Sequence, residues 1–302
     1  MAQAFRGVYT IPVTPFDERG TLDKASLHRE VDWCVRAGAH GIVAPVNASE
    51  GPTLTDDERR QVTRVVVEAT AGRIPVVIGV SGVSVAASVF YAKYAREVGA
   101  DAVIAMPPYG VRLADFPSVF AFYQAVAAAA GDLPVFVQNW SRPAGTPMTA
   151  PQVARLMREI PNVAYAKEET ADASHLMTAI QAEAGDACRG IMGGIGGRHL
   201  LDEYRRGSCG TMPACQSTDI HAAIWNKLDA GDEASARALF YRLLPLLNME
   251  ATYGVALYKE VLRRRGVIAS TTLRSRTTPA LDDYDHRELD VLLGEVEDLF
   301  TV

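Results

Sequence analysis

The chain has 302 residues, 48% of them hydrophobic and 22% charged, so it can bury a large core and disorder throughout is not expected. Its formal net charge of −6 argues against nucleic acid or an anionic membrane as a partner. No stretch approaches the roughly 18 uninterrupted apolar residues of a membrane helix, and the start MAQAFRGVYT lacks the apolar core of a signal peptide, so we expect a cytoplasmic protein.

Eight short apolar runs recur along the chain at intervals of about 20 to 35 residues. They begin near Gly7, His40, Ile74, Ala100, Leu133, Asn162, Arg189 and Cys209. Each run is nearly continuous in apolar character rather than alternating, which is typical of strands covered on both faces. We therefore predict eight strands of a parallel sheet.

Helical patterns fill the intervals between these runs. In TDDERRQVTRVVVEATAG, Thr55 is a candidate N-cap, acidic residues fill the first turn and Gly72 is a candidate stop. In TAPQVARLMREIP, Thr149 is the candidate cap and Pro151 sits just inside the start. Eight such strand and helix units predict an α/β fold, a (β/α)8 TIM barrel. A doubly wound sheet is the alternative, but no G-x-G-x-x-G follows the first strand.

After Gln216 the strand signals stop, and residues 217–302 have only helical patterns, with a break expected near Pro245. We predict that residues 1–216 form the barrel. Residues 217–302 then form a C-terminal helical segment that packs on the barrel and includes its last helix.

A lysine stands at the end of the sixth apolar run, in NVAYAKEET. Burial destabilises an ammonium ion, so we expect Lys167 to be a usable nucleophile that could form a Schiff base with a carbonyl substrate. The alternative is a structural ion pair with Glu168, Glu169 or Glu50. The other four lysines (Lys24, Lys93, Lys227 and Lys259) fall in helical or connecting stretches and are interpreted as solvated.

Active sites of such barrels lie at the carboxyl ends of the strands, so polar residues there are candidates. The second run ends in Asn47, Ala48, Ser49 and Glu50, whose side chains and turn amides could bind a carboxylate, although such residues are also ordinary turn and cap residues.

Three further strand ends carry candidates. The fourth run ends at Tyr109, and the fifth presents Gln138 and Asn139. The seventh ends in Gly193 and Gly194, where missing side chains could leave room for a ligand against the backbone. The alternatives are packing for the tyrosine and a mobile loop for the glycines.

Metal and nucleotide signatures are missing from the sequence. The six histidines show no H-x-x-H or H-E-x-x-H spacing, carboxylates do not cluster at metal-ligand intervals, and no P-loop occurs. We predict no metal and no cofactor.

The motifs PVTPFDERGTLD, SEGPTLTDDER and AKEET together resemble the dihydrodipicolinate synthase and N-acetylneuraminate lyase family of Schiff-base lyases and aldolases. The resemblance covers nearly the whole chain and implies that Lys167 is the Schiff-base lysine. It also implies a homo-oligomer, a dimer or a tetramer, and a small-molecule 2-keto acid as the binding partner.

The chain departs from the family pattern at the remaining site positions. Val46 to Glu50 replaces the Gly-Thr-Thr-Gly-Glu motif that binds the substrate carboxylate, so the donors differ. Gln138 stands where the family has a catalytic tyrosine, and Gly110 follows Tyr109 where a tyrosine pair is usual. A lysine-biosynthetic synthase or a sialic acid lyase is therefore not expected.

Asn47, Ser49, Gln138, KEETA and LLPLLNME together look closer to the 2-keto-3-deoxy-L-arabinonate dehydratase branch. This resemblance implies dehydration of a short 2-keto-3-deoxy sugar acid to 2-oxoglutarate semialdehyde. The proton carrier would be Tyr109, Glu50, a water or Lys167, since Gln138 cannot titrate. Three alternatives remain: a retro-aldolase that releases pyruvate, a pyrroline-4-hydroxy-2-carboxylate deaminase, and a catalytically silent keto-acid binding protein.

Overall fold

A computed structural model describes residues 5–110, 113–141 and 146–302 of the chain. Eight strands occur in these residues. Nearly all side chains on the strands are buried, as the near-continuous apolar runs predict. The strands are β1 (Gly7–Thr10), β2 (Gly41–Ala44), β3 (Val76–Gly79), β4 (Ala102–Ala105), β5 (Val135–Trp140), β6 (Val163–Glu169), β7 (Gly190–Gly193) and β8 (Gly210–Thr211).

The eight strands close a barrel in chain order. Neighbouring strands pair in parallel, for example β4 with β5, β5 with β6 and β6 with β7. A helix follows each strand, which confirms the predicted (β/α)8 barrel.

Eleven α-helices occur in the described residues. They are α1 (Lys24–Arg36), α2 (Asp56–Thr70), α3 (Val85–Glu97), α4 (Phe116–Ala130), α5 (Ala150–Glu159), α6 (Ala173–Ala184), α7 (Leu200–Arg205), α8 (Thr218–Asp229), α9 (Glu233–Tyr253), α10 (Val255–Arg264) and α11 (Asp283–Gly294). No helix among them is both long and apolar enough to cross a membrane.

The predicted helix starts are confirmed by their caps. Thr55 caps α2 in a reciprocal capping box with Glu58, and Thr149 caps α5, with Pro151 in its first turn. The predicted stop at Gly72 is two residues late, because α2 ends at Thr70 and Ala71 already adopts a left-handed conformation with φ of 51°.

The break predicted near Pro245 is wrong. The helix α9 runs through Pro245 and ends at Tyr253, and Gly254, with φ of 51° and ψ of −129°, separates it from α10. Leucines around the proline, Leu243, Leu246 and Leu247, are at most 1% exposed. Their burial offsets the hydrogen bond that the proline cannot donate.

The chain consists of two compact units. The first unit contains Pro75–Gly194, His199–Met212 and the described residues before Gly7; the second contains Gly7–Ile74, Ile195–Arg198 and Pro213–Val302. The helices α8 to α11 lie within residues 217–302 and no strand does, as predicted, but residues 265–282 between α10 and α11 form no helix. The predicted domain boundary between residues 216 and 217 stays a prediction.

Candidate active site

In the first unit, β5 and β6 place the key polar side chains in register. Gln138 lies opposite Lys167, and Trp140 lies opposite Glu169. Because side chains alternate along a strand, Lys167, Glu169 and Gln138 share one face of this strand pair, while Asn139 and Glu168 share the other. The strand β6 continues to Glu169, two residues past the lysine that we expected to end it.

Glu169 joins the lysine to the glutamine. Its Oε1 lies 2.9 Å from Nζ of Lys167, and its Oε2 accepts a hydrogen bond of 2.8 Å from Nε2 of Gln138. The side chains of Lys167 and Glu169 are only 6% and 11% exposed. The ion pair that we weighed for Lys167 therefore exists with Glu169. It places a carboxylate in direct contact with the amine.

Aromatic rings occupy the same face one pleat before the lysine. The rings of Phe136 and Tyr165 stack with centroids 4.7 Å apart, and Phe5 meets both rings edge-on at 5.4 and 5.2 Å. Three aromatic rings thus pack on this side of the strand pair, and the charge of Lys167 is balanced by Glu169.

On the opposite face, Asn139 is completely buried and connects two segments. Its Nδ2 donates to the Met148 carbonyl and, at 2.7 Å, to Glu168, while its Oδ1 accepts from the Met148 amide. Burial raises the pKa of Glu168, although hydrogen bonds from Thr170 and Asn139 oppose the shift. The Asn139 side chain, which we predicted to contact substrate, thus forms hydrogen bonds within the chain.

The space beside Gly193 and Gly194 holds protein carboxylates. A Cβ on Gly194 would lie 2.3 Å from Cγ of Glu169, and one on Gly193 would lie 1.8 Å from Oε2 of Glu203. We expected this room to admit a ligand; instead, the missing side chains admit two glutamates. The substrate-binding role of both glycines stays a prediction.

Glu203 is a buried carboxyl that sequence reasoning missed. It is 2% exposed, and within the described residues its Oε2 has no hydrogen-bond partner. Burial, together with the nearby charges of Glu169, Asp202 and Glu168, raises the pKa of Glu203 to about 8.

Tyr109 is half-buried in the segment after β4, where its amide donates to the Gly82 carbonyl. A Cβ on the next residue, Gly110, would lie 2.6 Å from the carbonyl oxygen of Val83. The second tyrosine of the family pattern has no room here, because backbone rather than a flexible side chain fills the space. The catalytic role of Tyr109 stays a prediction.

In the second unit, the segment Asn47–Glu50 forms a tight turn after β2. The amides of Ser49 and Gly51 donate to the Val46 carbonyl, and the amide of Glu50 donates to that of Asn47. These turn amides, which we expected to bind a carboxylate, are used within the turn. Asn47 and Ala48 are half-buried.

Ser49 and Glu50 are buried and bonded within the chain. The Ser49 hydroxyl donates to the Pro12 carbonyl at 2.7 Å. The Glu50 carboxylate accepts from Nζ of Lys259 at 2.5 Å and from the Arg274 amide at 2.9 Å. Their substrate-binding roles stay predictions, and Glu50 in particular has a structural partner for each oxygen.

The interpretation of Lys259 as solvated is wrong. It lies on α10 with no exposed surface. Its charge is tolerated there because it forms an ion pair with Glu50 and donates a hydrogen bond to the Thr272 carbonyl. One signal in the sequence favoured burial: Lys259 is spaced three residues before Leu262, which is buried on the same helix.

Residues 4–294 match the family described as the dihydrodipicolinate synthetase family. The chain is 35% identical over 268 residues to L-2-keto-3-deoxyarabonate dehydratase of Azospirillum brasilense, covering 88% of this chain and 86% of that protein.

It is also similar to 4-hydroxy-tetrahydrodipicolinate synthase of Methylobacterium radiotolerans, with 32% identity covering 80% of this chain and 79% of that protein. The crystal structure of dihydrodipicolinate synthase from Rhodopseudomonas palustris superimposes with a TM-score of 0.87 at 25% identity, covering 96% of this chain and 97% of that chain.

Proposed function

The chain belongs to the dihydrodipicolinate synthetase family of lyases, and we propose that it removes water from a short 2-keto-3-deoxy sugar acid. The similarity to L-2-keto-3-deoxyarabonate dehydratase over most of both chains favours the five-carbon substrate, which would give 2-oxoglutarate semialdehyde. The contact between Lys167, Glu169 and Gln138 is the observation that carries the mechanism.

The first step uses Lys167 as a nucleophile. Its ammonium passes a proton to Glu169, which lies 2.9 Å away, and the neutral amine attacks the keto carbon. The keto oxygen takes one proton from the nitrogen and one from Glu169 and departs as water, which leaves an iminium ion between Nζ and that carbon and restores the Glu169 carboxylate. The iminium withdraws electrons and so acidifies the protons on the neighbouring carbon, C3.

The second step is the elimination. A base removes one C3 proton to form an enamine, whose electron pair expels the C4 hydroxyl as water after that hydroxyl accepts a proton. The unsaturated iminium then loses one proton from C5 and one from the C5 hydroxyl and gains protons at C4 and C3, which makes C5 the aldehyde carbon. Water finally hydrolyses the iminium, which releases 2-oxoglutarate semialdehyde and frees Lys167. We propose Glu169 as this proton carrier, because its carboxylate contacts the reacting nitrogen and can both accept and return a proton. Gln138 cannot titrate, but its amide donates to Oε2 of Glu169 and holds that carboxylate in place.

The substrate carboxylate is assigned to the turn Asn47–Glu50. The carboxamide of Asn47 is the donor that we propose, since the hydroxyl hydrogen of Ser49 and both oxygens of Glu50 are engaged elsewhere. Tyr109 is proposed to orient the hydroxyl end of the substrate. Asn139, Gly193 and Gly194 act indirectly, because they support the strands and admit Glu169 and Glu203.

The first test is to trap the covalent intermediate. The protein is incubated with 2-keto-3-deoxy-L-arabinonate or pyruvate, borohydride is added, and the intact mass is measured. We expect one adduct on the wild-type chain and none on Lys167→Ala, because only an amine at this position forms the iminium. An adduct that persists in Lys167→Ala would contradict the proposal.

Product analysis then identifies the reaction. Release of 2-oxoglutarate semialdehyde is the expected result, whereas pyruvate with a two-carbon aldehyde would indicate a retro-aldolase. Ammonia released from a hydroxylated pyrroline carboxylate would indicate a deaminase. The homo-oligomer implied by the resemblance stays a proposal, which sedimentation velocity would test directly.

A further inference from the structure

Lys259 is a completely buried lysine far along the sequence from any strand. Its Nζ lies 2.5 Å from Oε1 of Glu50, donates to the Thr272 carbonyl at 2.7 Å, and lies 4.5 Å from the ring centre of Phe16. Lysine is almost never fully buried unless it is paired, so this amine has a specific partner rather than an incidental position. That partner is the last residue of the turn Asn47–Glu50.

Glu50 holds an unusual backbone conformation at this point. Its φ of 53° lies in the left-handed region, which a residue with a side chain adopts only when its surroundings impose it. The same carboxylate accepts a second hydrogen bond from the Arg274 amide at 2.9 Å. The carboxylate therefore connects the turn both to α10 and to the segment that follows it.

A second set of contacts holds the turn from the amino-terminal side. The Ser49 hydroxyl donates to the Pro12 carbonyl at 2.7 Å, and the Thr14 hydroxyl donates to the Ser49 carbonyl at 2.5 Å. These bonds fix Ser49, whereas Glu50 is fixed only through Lys259 and the Arg274 amide among its described side-chain contacts. Removal of the ion pair should therefore release one end of the turn.

The surroundings of Lys259 act on its charge in both directions. Burial lowers the pKa of Lys259 and Arg274 adds to this, while Glu50 and the more distant Glu30 oppose it. A buried pair that loses one partner leaves an uncompensated charge, whereas a neutral replacement of both partners is often tolerated. The pair can therefore be removed without leaving a bare charge in the core.

We propose that Lys259 is a positioning residue, which through Glu50 fixes the turn Asn47–Glu50 in the conformation that binds the carboxylate of the 2-keto acid substrate. This inference rests on the proposed function. It gives the helix α10 a part in substrate binding, although the lysine itself does not touch the substrate. The loss of positioning should weaken binding more than it slows the chemical step.

The test is the double variant Lys259→Met with Glu50→Gln, which removes both charges together. The matched control is Arg265→Met with Asp219→Asn, because this pair is also buried, with side chains 6% and 0% exposed, and also fastens the end of α10. Both variants should lose thermal stability. Only the first should alter the turn.

Two measurements separate the outcomes. The pyruvate concentration that gives half the maximal rate of borohydride trapping should rise about tenfold or more in the Lys259 and Glu50 variant, with the maximal rate changed less than about threefold. The control variant should keep the wild-type value. Hydrogen exchange of peptides covering residues 46–53 should accelerate in the first variant and not in the control.

An unchanged half-saturating concentration, with wild-type trapping intact, would overturn the inference and leave the proposed function standing. If the wild-type chain forms no adduct, the proposed function fails, and hydrogen exchange decides the positioning role alone. Unchanged exchange at residues 46–53 in the double variant would overturn that role as well.

Discussion

The contact of Lys167 with Glu169 shows how far single residues can be predicted from the sequence. A lysine that ends an apolar run is costly and chemically distinctive, so its importance was predictable. Its partner was not, because three glutamates were candidates and the choice depends on where β6 ends. The strand continues to Glu169, and the alternation of side chains then puts Glu169 beside the amine and Glu168 on the other face.

The glycines at the end of β7 show a second limit of sequence reasoning. Missing side chains were interpreted as room for a ligand, but carboxylates of Glu169 and Glu203 fill that room. Sequence patterns report which positions lack a side chain, whereas the identity of the group that approaches depends on contacts between distant residues. Lys259 and Glu50, 209 positions apart, could not be paired for the same reason.

Glu169→Gln tests the proposed proton carrier. The amide keeps the size of the carboxylate but cannot accept a proton, so kcat for dehydration should fall by a factor of about 10² to 10⁴. Borohydride trapping at high pyruvate should still yield the Lys167 adduct, although more slowly, because the amine remains but solvent must take its proton in place of Glu169. Steady-state kinetics and intact mass measure the two effects on the same preparation.

Glu168→Gln is the matched control for this substitution. It changes the neighbouring glutamate, which is fully buried and bonded to Thr170 and Asn139 on the other face. We expect it to lower the melting temperature with a much smaller effect on kcat. Equal losses of kcat in the two variants would show that Glu169 has no special part in proton transfer.

At the scale of elements, the strands and helix starts were predictable, and the break in the C-terminal helices was not. Continuous apolar runs and capping residues are local signals, and β1 to β8 follow them. A proline is also a local signal, but packing overrides it: Leu243, Leu246 and Leu247 are buried on both sides of Pro245, and the helix continues. The helix ends where Gly254 adopts a backbone conformation that side chains disfavour.

Gly254→Ala should therefore lower the free energy of unfolding, whereas Pro245→Ala should leave it unchanged or raise it. A Cβ at φ of 51° and ψ of −129° is strained, so Gly254→Ala should destabilise the protein by about 1 to 3 kcal/mol. Pro245→Ala restores an amide donor inside α9 and should leave stability unchanged or raise it. Urea denaturation of both variants measures the free energies of unfolding. A larger loss of unfolding free energy in Pro245→Ala than in Gly254→Ala would contradict this account of where the helix ends.

At the scale of the whole molecule, three buried glutamates connect stability to pH. Burial raises the pKa of Glu30, Glu203 and Glu250 to about 8 from the ordinary value of 4.5. Between these two pH values the folded chain keeps protons that the unfolded chain has lost. The free energy of unfolding should therefore fall as pH rises through this window.

Glu58 contributes to the pH dependence of stability in the opposite direction. Hydrogen bonds from Arg274 lower its pKa to about 2, so its contribution is present above pH 4.5 and is lost as pH falls toward 2. The two effects together predict a maximum of stability at about pH 5.

The triple variant Glu30→Gln, Glu203→Gln and Glu250→Gln tests this origin of the alkaline decline, because glutamine resembles the protonated carboxyl. It can still accept the hydrogen bonds that Val13 and Gln216 donate to Glu30 and Glu250. Melting temperatures measured from pH 5 to 8 should decline in the wild-type chain and stay nearly level in the triple variant. Glu58→Gln, the control, should keep the wild-type decline above pH 5 and lose stability relative to the wild-type chain only where Glu58 is ionised. A triple variant with the full wild-type decline would show that these carboxyls are already ionised in the folded protein.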